Sequence, residues 1–268
     1  MANYTAQDVK KLREDTDAPM MECKSALDEA EGDFEKAKNI LREKGKAAAA
    51  KRSDRSTAAG VVALAANDDA TVVGGVVVEC ETDFVARNED FVALAQQIAE
   101  IVRDSETVDE AKLKEITDGA VAKIRENIRV TKHVRLTSSN PIATYVHHDR
   151  TKGAAVLSEG TYSDAVRKIA VQVVSLPPDV LKKEDLSQDK LAAEIEIETQ
   201  RAINEGKDEK LARNIATGRV NKEFVKRAVL LEQPYYIDPG VSVAQYLAEH
   251  AKGATLTSFA YLAVGQSS

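Results

Sequence analysis

The residues best suited to chemistry gather in two places. Glu79, Glu81, Asp83, Glu89 and Asp90 put carboxylates around one short segment that also holds Cys80, and His147, His148 and Asp149 form a second group. Oxygen and imidazole donors suit a divalent cation, so a metal-dependent hydrolase is one reading. No H-E-x-x-H or D-x-D-x-D-G spacing supports it. Acids beside helix starts ordinarily act as caps and dipole partners. Nucleophilic catalysis has less support. There is no G-x-S-x-G elbow, and the acids flanking Cys80 would raise its thiol pKa rather than activate it. Nucleotide binding finds no P-loop and no G-x-G-x-x-G.

The same segment offers something other than acid–base chemistry. Glu81-Thr82-Asp83-Phe84-Val85-Ala86-Arg87-Asn88 places an aromatic among polar residues, in a chain with 5 Phe and no Trp. Phe84 is either a core anchor, with Asp83 capping the following turn, or an apolar wedge for a partner's pocket. In the second case Asp83 fixes the approach by a charge-assisted hydrogen bond.

The elements that position these residues follow from periodicity. Thr5 with Asp8 can cap a helix carrying Val9 and Leu12, which Asp17-Ala18-Pro19 breaks. A second helix runs from about Met20 to Ala30, and Asp33 caps a third with Phe34, Ala37 and Leu41 on one face. Lys44-Gly45-Lys46, an alanine run and Lys51-Arg52-Ser53-Asp54-Arg55-Ser56 read as a basic linker, at first partly helical. From Gly60 the period changes. Val61–Ala65, an Asn67-Asp68-Asp69 turn and Thr71–Val78 predict a β-hairpin. Phe91, Leu94, Ala95, Ile98, Ile101 and Val102 mark a helix face. A helix over about Asp109–Asn127 and a strand over Ile128–Leu136 follow.

A second unit repeats the plan. Ile142–Val146 and Ala154–Leu157 form a hairpin, and Val166, Ile169, Ala170, Val173 and Val174 mark a helix ending at Pro177-Pro178. Phe91, Leu94, Ala95 and Ile98 align with Val166, Ile169, Ala170 and Val173. The second copy joins hairpin to helix through a short Ser158-Glu159-Gly160-Thr161, whereas the first uses a longer connection containing Thr82–Asn88. Packing alone does not require that extra length, which points to function. Beyond Asp185, narrow stripes at Leu191, Ile195 and Ala202, then at Leu211 and Ile215, flank Asn204-Glu205-Gly206-Lys207. They predict a projecting antiparallel helical hairpin capped by Ser187. A short helix over Val243–His250 and a strand over Thr255–Val264 close the second sheet.

Composition narrows the function class. Among 268 residues the net charge is −7, which argues against general nucleic-acid binding. Cys23 and Cys80 form no C-x-x-C pair and suit a reducing compartment. No signal or transit segment opens the sequence and no apolar run spans a bilayer, so a cytoplasmic protein without a membrane partner is expected.

Particular residues also resemble a known family. Leu12-Arg13-Glu14-Asp15-Thr16 with Met21-Glu22-Cys23-Lys24-Ser25-Ala26-Leu27 is similar to the N-terminal signature of bacterial translation elongation factor Ts. Cys80-Glu81-Thr82-Asp83-Phe84-Val85-Ala86-Arg87 is similar to its second signature. Tyr145-Val146-His147, Gly218-Arg219 with Lys222, and Leu231-Glu232-Gln233-Pro234 extend the resemblance along the chain. It implies an α+β fold. A ubiquitin-associated-like (UBA-like) three-helix domain over 1–45 and a basic linker over 46–58 come first. A core subdomain over 59–139 and a second over 140–268 follow, the second carrying a helical hairpin at 187–228. It implies a guanine-nucleotide exchange factor for elongation factor Tu, in its GDP-bound and nucleotide-free states. No catalytic residue, resident metal or cofactor is implied. Thr82, Asp83, Phe84 and Val85 would be the segment that promotes Mg²⁺ release, with Met20, Met21, Tyr145 and His147 as further partner contacts.

Some positions depart from the family pattern. Pro19 stands where a small residue is common and should stiffen the loop before Met20. Val77 and Glu79 replace a Glu and an Asn. The chain reaches Ser268 soon after its last strand, where longer members carry a further helical module. Two rivals stay open at this level: a binding module acting through the three helices alone, and the metal-dependent hydrolase.

Overall fold

The computed structural model describes residues 3–16 and 18–266, so Asp17 in the expected helix break lies outside the described residues. The protein is α+β. Helices α1 (Ala6–Thr16), α2 (Met20–Glu29) and α3 (Phe34–Ala50) come first. Thr5 and Asp8 cap α1 reciprocally: the Thr5 amide donates to Asp8 Oδ2 at 2.7 Å and the Asp8 amide to Thr5 Oγ1 at 3.3 Å. Gly32 (φ +89°) reverses the chain after α2, its amide reaching the Leu27 carbonyl at 2.9 Å. Asp33 then caps α3 through the Lys36 amide. Leu12, Cys23, Ala26, Leu27 and Ala37 form the small core of these helices.

Helix α3 runs further than its composition predicts. Lys44-Gly45-Lys46 and the alanines belong to it, and the linker turns away only after Ala50. Packing explains the extension: Gly45 and Ala49 are buried, and α3 lies along α6 (Glu110–Ile124). A Cβ built on Gly45 would stand 3.4 Å from Ala122 Cβ, at the edge of ordinary van der Waals contact, so α3 and α6 pack closely here.

Among the described residues, two three-stranded sheets form. The first, in order β1-β2-β3, joins β1 (Ala59–Ala66), β2 (Val72–Cys80) and β3 (Arg129–Thr137). Between β2 and α6 come a short α4 (Asp83–Ala86) and a long α5 (Glu89–Asp104). Phe91, Ala95, Ile98 and Val102 of α5 are fully buried with Val61, Val76 and Val78. Each of the larger side chains, Phe91, Ile98 and the valines, contributes about 1.5–3 kcal/mol. Gly74 lets α5 approach β2 at backbone distance, because a Cβ there would fall on the Ala99 carbonyl oxygen and the Arg103 amide. Gly74→Ala should therefore push α5 outward and cost about 1–3 kcal/mol. A lowered urea midpoint is the expected readout, and an unchanged midpoint contradicts this packing.

The second sheet, in order β4-β5-β6, joins β4 (Ala143–Val146), β5 (Lys152–Gly160) and β6 (Ala254–Ala263). Strands β4 and β5 are antiparallel, with Ala143 opposite Val156 and Val146 opposite Gly153. Helix α7 (Asp164–Ser175) buries Val166, Ile169, Ala170 and Val173 against this sheet. The aligned positions therefore do equivalent work in the two copies, except that Leu94 is only partly buried. Ser158–Gly160, read from sequence as a connection, extend β5. The joint in this copy is residues 161–163, against residues 81–88 in the first.

Helices α8 (Gln188–Asn204) and α9 (Glu209–Val220) pack on each other on either side of Glu205-Gly206-Lys207. The contact positions of α9 are Ala212, Ala216 and Val220. Leu211, expected on the stripe, is 46% exposed. A π-helical turn at Asn221–Val225 and α10 (Lys226–Ala228) lead the chain to α11 (Val243–His250) and β6. The described residues divide into two compact units, one within 3–65, 74–134 and 263–266 apart from Asp17, the other 66–73 and 135–262. No helix among them is long and apolar enough to cross a membrane.

Candidate functional site

The long joint of the first unit is built from its ends inward. Strand β2 delivers Cys80, and Thr82 stops the extended chain at φ −125°, ψ 155°. The Thr82 hydroxyl accepts from the Val85 amide at 3.4 Å and so caps α4. Thr82, rather than Asp83, is the cap. Asp83 instead pairs with Arg87 one turn on, at 3.1 Å, with both side chains mostly exposed. Such a pair adds little stability. Val85 and Ala86 turn inward onto the core of the first sheet. The opposite side of the same turn presents Phe84, 83% exposed. The core-anchor reading of Phe84 is thereby removed.

The entrance to this turn is held by a residue that sequence reading missed. Glu126 lies just past the C-terminus of α6. Its Oε2 accepts from the amides of Glu81 and Thr82, both at 3.0 Å, and its Oε1 accepts the Thr82 hydroxyl at 2.6 Å. The helix read as reaching Asn127 in fact ends at Ile124, with Arg125 left-handed at φ 65°. A signal was present: a carboxylate at a helix C-terminus opposes the macrodipole and so needs another partner.

The acidic cluster is dispersed. Glu79 is buried, accepts from the Thr57 hydroxyl and the Gly265 amide at 3.0 Å each, and faces Arg129. Glu81 accepts from the Asn127 amide at 2.7 Å. Asp90 pairs with Lys123 at 3.1 Å, in the first turn of α5 alongside Glu89. Among the described residues no group of three or more His, Cys, Asp or Glu could hold a metal ion. The Cys80 thiol donates to the Thr82 carbonyl, and burial first, then the Glu126 charge, push its pKa up to about 12. It is a poor nucleophile.

Met20 and Met21 open α2, 44% and 72% exposed, while Cys23 and Leu27 of the same helix are buried. Tyr145 and His147 lie in the second unit, on β4 and at the start of its turn. Tyr145 packs partly on the second core, and its ring meets that of His147 edge to face at 6.4 Å. Asp149 closes the turn. The Thr151 amide donates to it at 2.9 Å, and the His147 Nδ1 and Thr151 hydroxyl add to that. These contacts lower its pKa from 3.8 to about 2. A depressed carboxyl stabilises the fold above its unfolded pKa, and the contribution disappears as pH falls from about 4 through 2. An NMR titration should place the Asp149 midpoint near 2. An ordinary midpoint contradicts the closed turn.

Fold and site together describe a mixed α+β protein whose most exposed large apolar side chain, Phe84 among the described residues, sits on a turn held by side-chain and backbone hydrogen bonds. A family model described as "Elongation factor TS" matches residues 81–266. Elongation factor Ts of Clostridioides difficile (strain 630) is 38% identical, covering 94% of this chain and 88% of that protein. Elongation factor Ts of Bordetella petrii is 38% identical, covering 99% and 93%, and that of Beutenbergia cavernae 38%, covering 99% and 100%. The chain belongs to the elongation factor Ts family and is a translation elongation factor.

Proposed function

We propose that this chain is the guanine-nucleotide exchange factor of elongation factor Tu. On this reading it binds the GDP-bound GTPase, promotes GDP release partly by disturbing Mg²⁺, and holds the nucleotide-free form. The observation that carries the proposal is Phe84, almost fully exposed on a turn whose backbone is fixed, within the family-matched segment. A turn whose backbone is already fixed in the free protein loses little backbone entropy when its side chain inserts.

Phe84 acts as the wedge, Asp83 aligns it, and Thr82 and Val85 set the turn that carries it. Met20 and Met21 on α2 supply a second apolar contact, and Tyr145 with His147 a third. The three N-terminal helices form a UBA-like domain, with the linker expected over 46–58 shortened to 51–58 because α3 runs to Ala50, and the core subdomains cover 59–139 and 140–268, with the helical hairpin at 187–228 projecting. The chain works in the cytoplasm, binds no nucleic acid directly and needs no catalytic residue of its own.

Linkage supplies the mechanism. If the factor favours a state of the GTPase that GDP disfavours, each weakens the other's binding by one shared factor. The test compares affinity for nucleotide-free elongation factor Tu with affinity at saturating GDP. Binding should be at least about tenfold weaker with GDP present, within the usual range of coupling energies. Equal affinities overturn exchange and leave a plain binding module.

A further inference from the structure

Glu126 is the point where the Phe84 turn is fastened to the rest of its unit. The connection is reciprocal. Glu126 accepts the amides of Glu81 and Thr82 and the Thr82 hydroxyl, while Glu81 Oε1 accepts the Asn127 amide at 2.7 Å. Residues 81–82 and 126–127 are thus tied in both directions across 44 to 46 positions of sequence.

The carboxylate is itself held in place. On one side, Asn127 is 4% exposed and its Nδ2 donates to the carbonyls of Arg55 at 2.8 Å and Ser53 at 3.3 Å. On the other, the Arg125 amide closes α6 on the Val121 carbonyl at 2.8 Å, and Arg125's own carbonyl accepts Arg52 Nε at 3.1 Å. A carboxylate with fixed backbone neighbours and three donors to satisfy has few alternative positions.

The Thr82 hydroxyl matters most. It has a single proton, and that proton goes to Glu126 at 2.6 Å. Its lone pairs are then directed at the Val85 amide, the cap of the turn that presents Phe84. Without Glu126 the hydroxyl is free to rotate, two amides lose their acceptor, and the cap loses its orientation. The raised Cys80 thiol pKa fits the Glu126 charge standing at this entrance. Arg125 also pairs with Glu22 on α2 at 2.7 Å, but that pair is exposed and adds little.

We propose that Glu126 is a positioning residue for nucleotide exchange, acting through Thr82 to hold the turn that presents Phe84. This inference rests on the exchange reading above, and two measurements separate the two claims. The first concerns the free chain. Amide hydrogen exchange at Glu81 and Thr82 should accelerate about tenfold or more in Glu126→Ala, and unchanged protection overturns the clamp whatever the chain's activity. The second is GDP release from elongation factor Tu at saturating factor. Glu126→Ala should slow it about tenfold, the scale on which a misplaced group loses effect. The loss should be smaller in Glu126→Gln, which keeps one acceptor oxygen and carries the measurement if the alanine variant does not fold. In a Phe84→Ala background, Glu126→Ala should add less than about twofold, because residues in one path do not add. A full tenfold loss in that background shows that Glu126 acts elsewhere and overturns the proposal. A wild-type chain that releases no GDP sinks the exchange reading, and amide protection alone then decides the clamp.

Discussion

Phe84→Ala should slow factor-stimulated GDP release about 30-fold, a loss near 2 kcal/mol of coupling, the scale of an interface hot spot. The melting temperature of the free chain should not move. The separation follows from exposure: Phe84 is 83% exposed, so truncating it removes almost no buried area from the fold. Val85 and Ala86 continue to seat the turn, and Thr82 keeps its cap. A fall in melting temperature together with activity would assign Phe84 to packing after all. Undiminished release would remove the wedge while leaving exchange itself standing.

The second large effect lies in the other unit and concerns stability. Gln172 and Gln233 are both fully buried and face each other, Gln172 Nε2 donating to Gln233 Oε1 at 2.9 Å. Gln233 Nε2 donates to the carbonyls of Leu176 at 2.9 Å and Arg227 at 2.7 Å. Gln172 Oε1 accepts the Tyr236 amide at 2.8 Å. The pair joins the end of α7 to the chain returning from α8 and α9. Gln233→Leu would leave both carbonyls without this donor in an interior site, at about 1–3 kcal/mol for each group stranded. The transition of this unit should fall on the order of 10 °C. A shift within about 1 °C, inside the ordinary range of neutral substitutions, would mean that water or relaxation replaces these bonds.

Regular periodicity made most of the fold legible. The Val- and Ala-rich hairpins, the α5 and α7 faces and the bounds of α11 follow from alternation and 3–4 spacing. Elements fixed by tertiary contact were harder to read. The Lys44-Gly45-Lys46 segment has linker composition, yet it is helical where α3 packs along α6 and buries Gly45 and Ala49. On α9 the large Leu211 attracted the stripe, whereas small Ala212 and Ala216 allow the close approach to α8. A reading weighted toward large apolar residues misses alanine seams.

The candidate site divides in the same way. Phe84 was legible as an oddity because an aromatic stands among charges in a joint longer than its repeat requires. Its helical turn was not, since four residues give no periodicity and only the Thr82 cap marks the start. Glu126 carried only one local signal, a carboxylate at a helix C-terminus; its partners are far away in sequence, and two of the three donors are backbone groups with no residue-type signature.

The most direct measurement is release of fluorescent GDP from cognate elongation factor Tu, followed against excess unlabelled GDP as this chain is titrated in. The release rate should climb with factor concentration to a plateau well above the spontaneous rate. A rate that stays at the spontaneous value, at concentrations where the two proteins demonstrably bind, would contradict the exchange role.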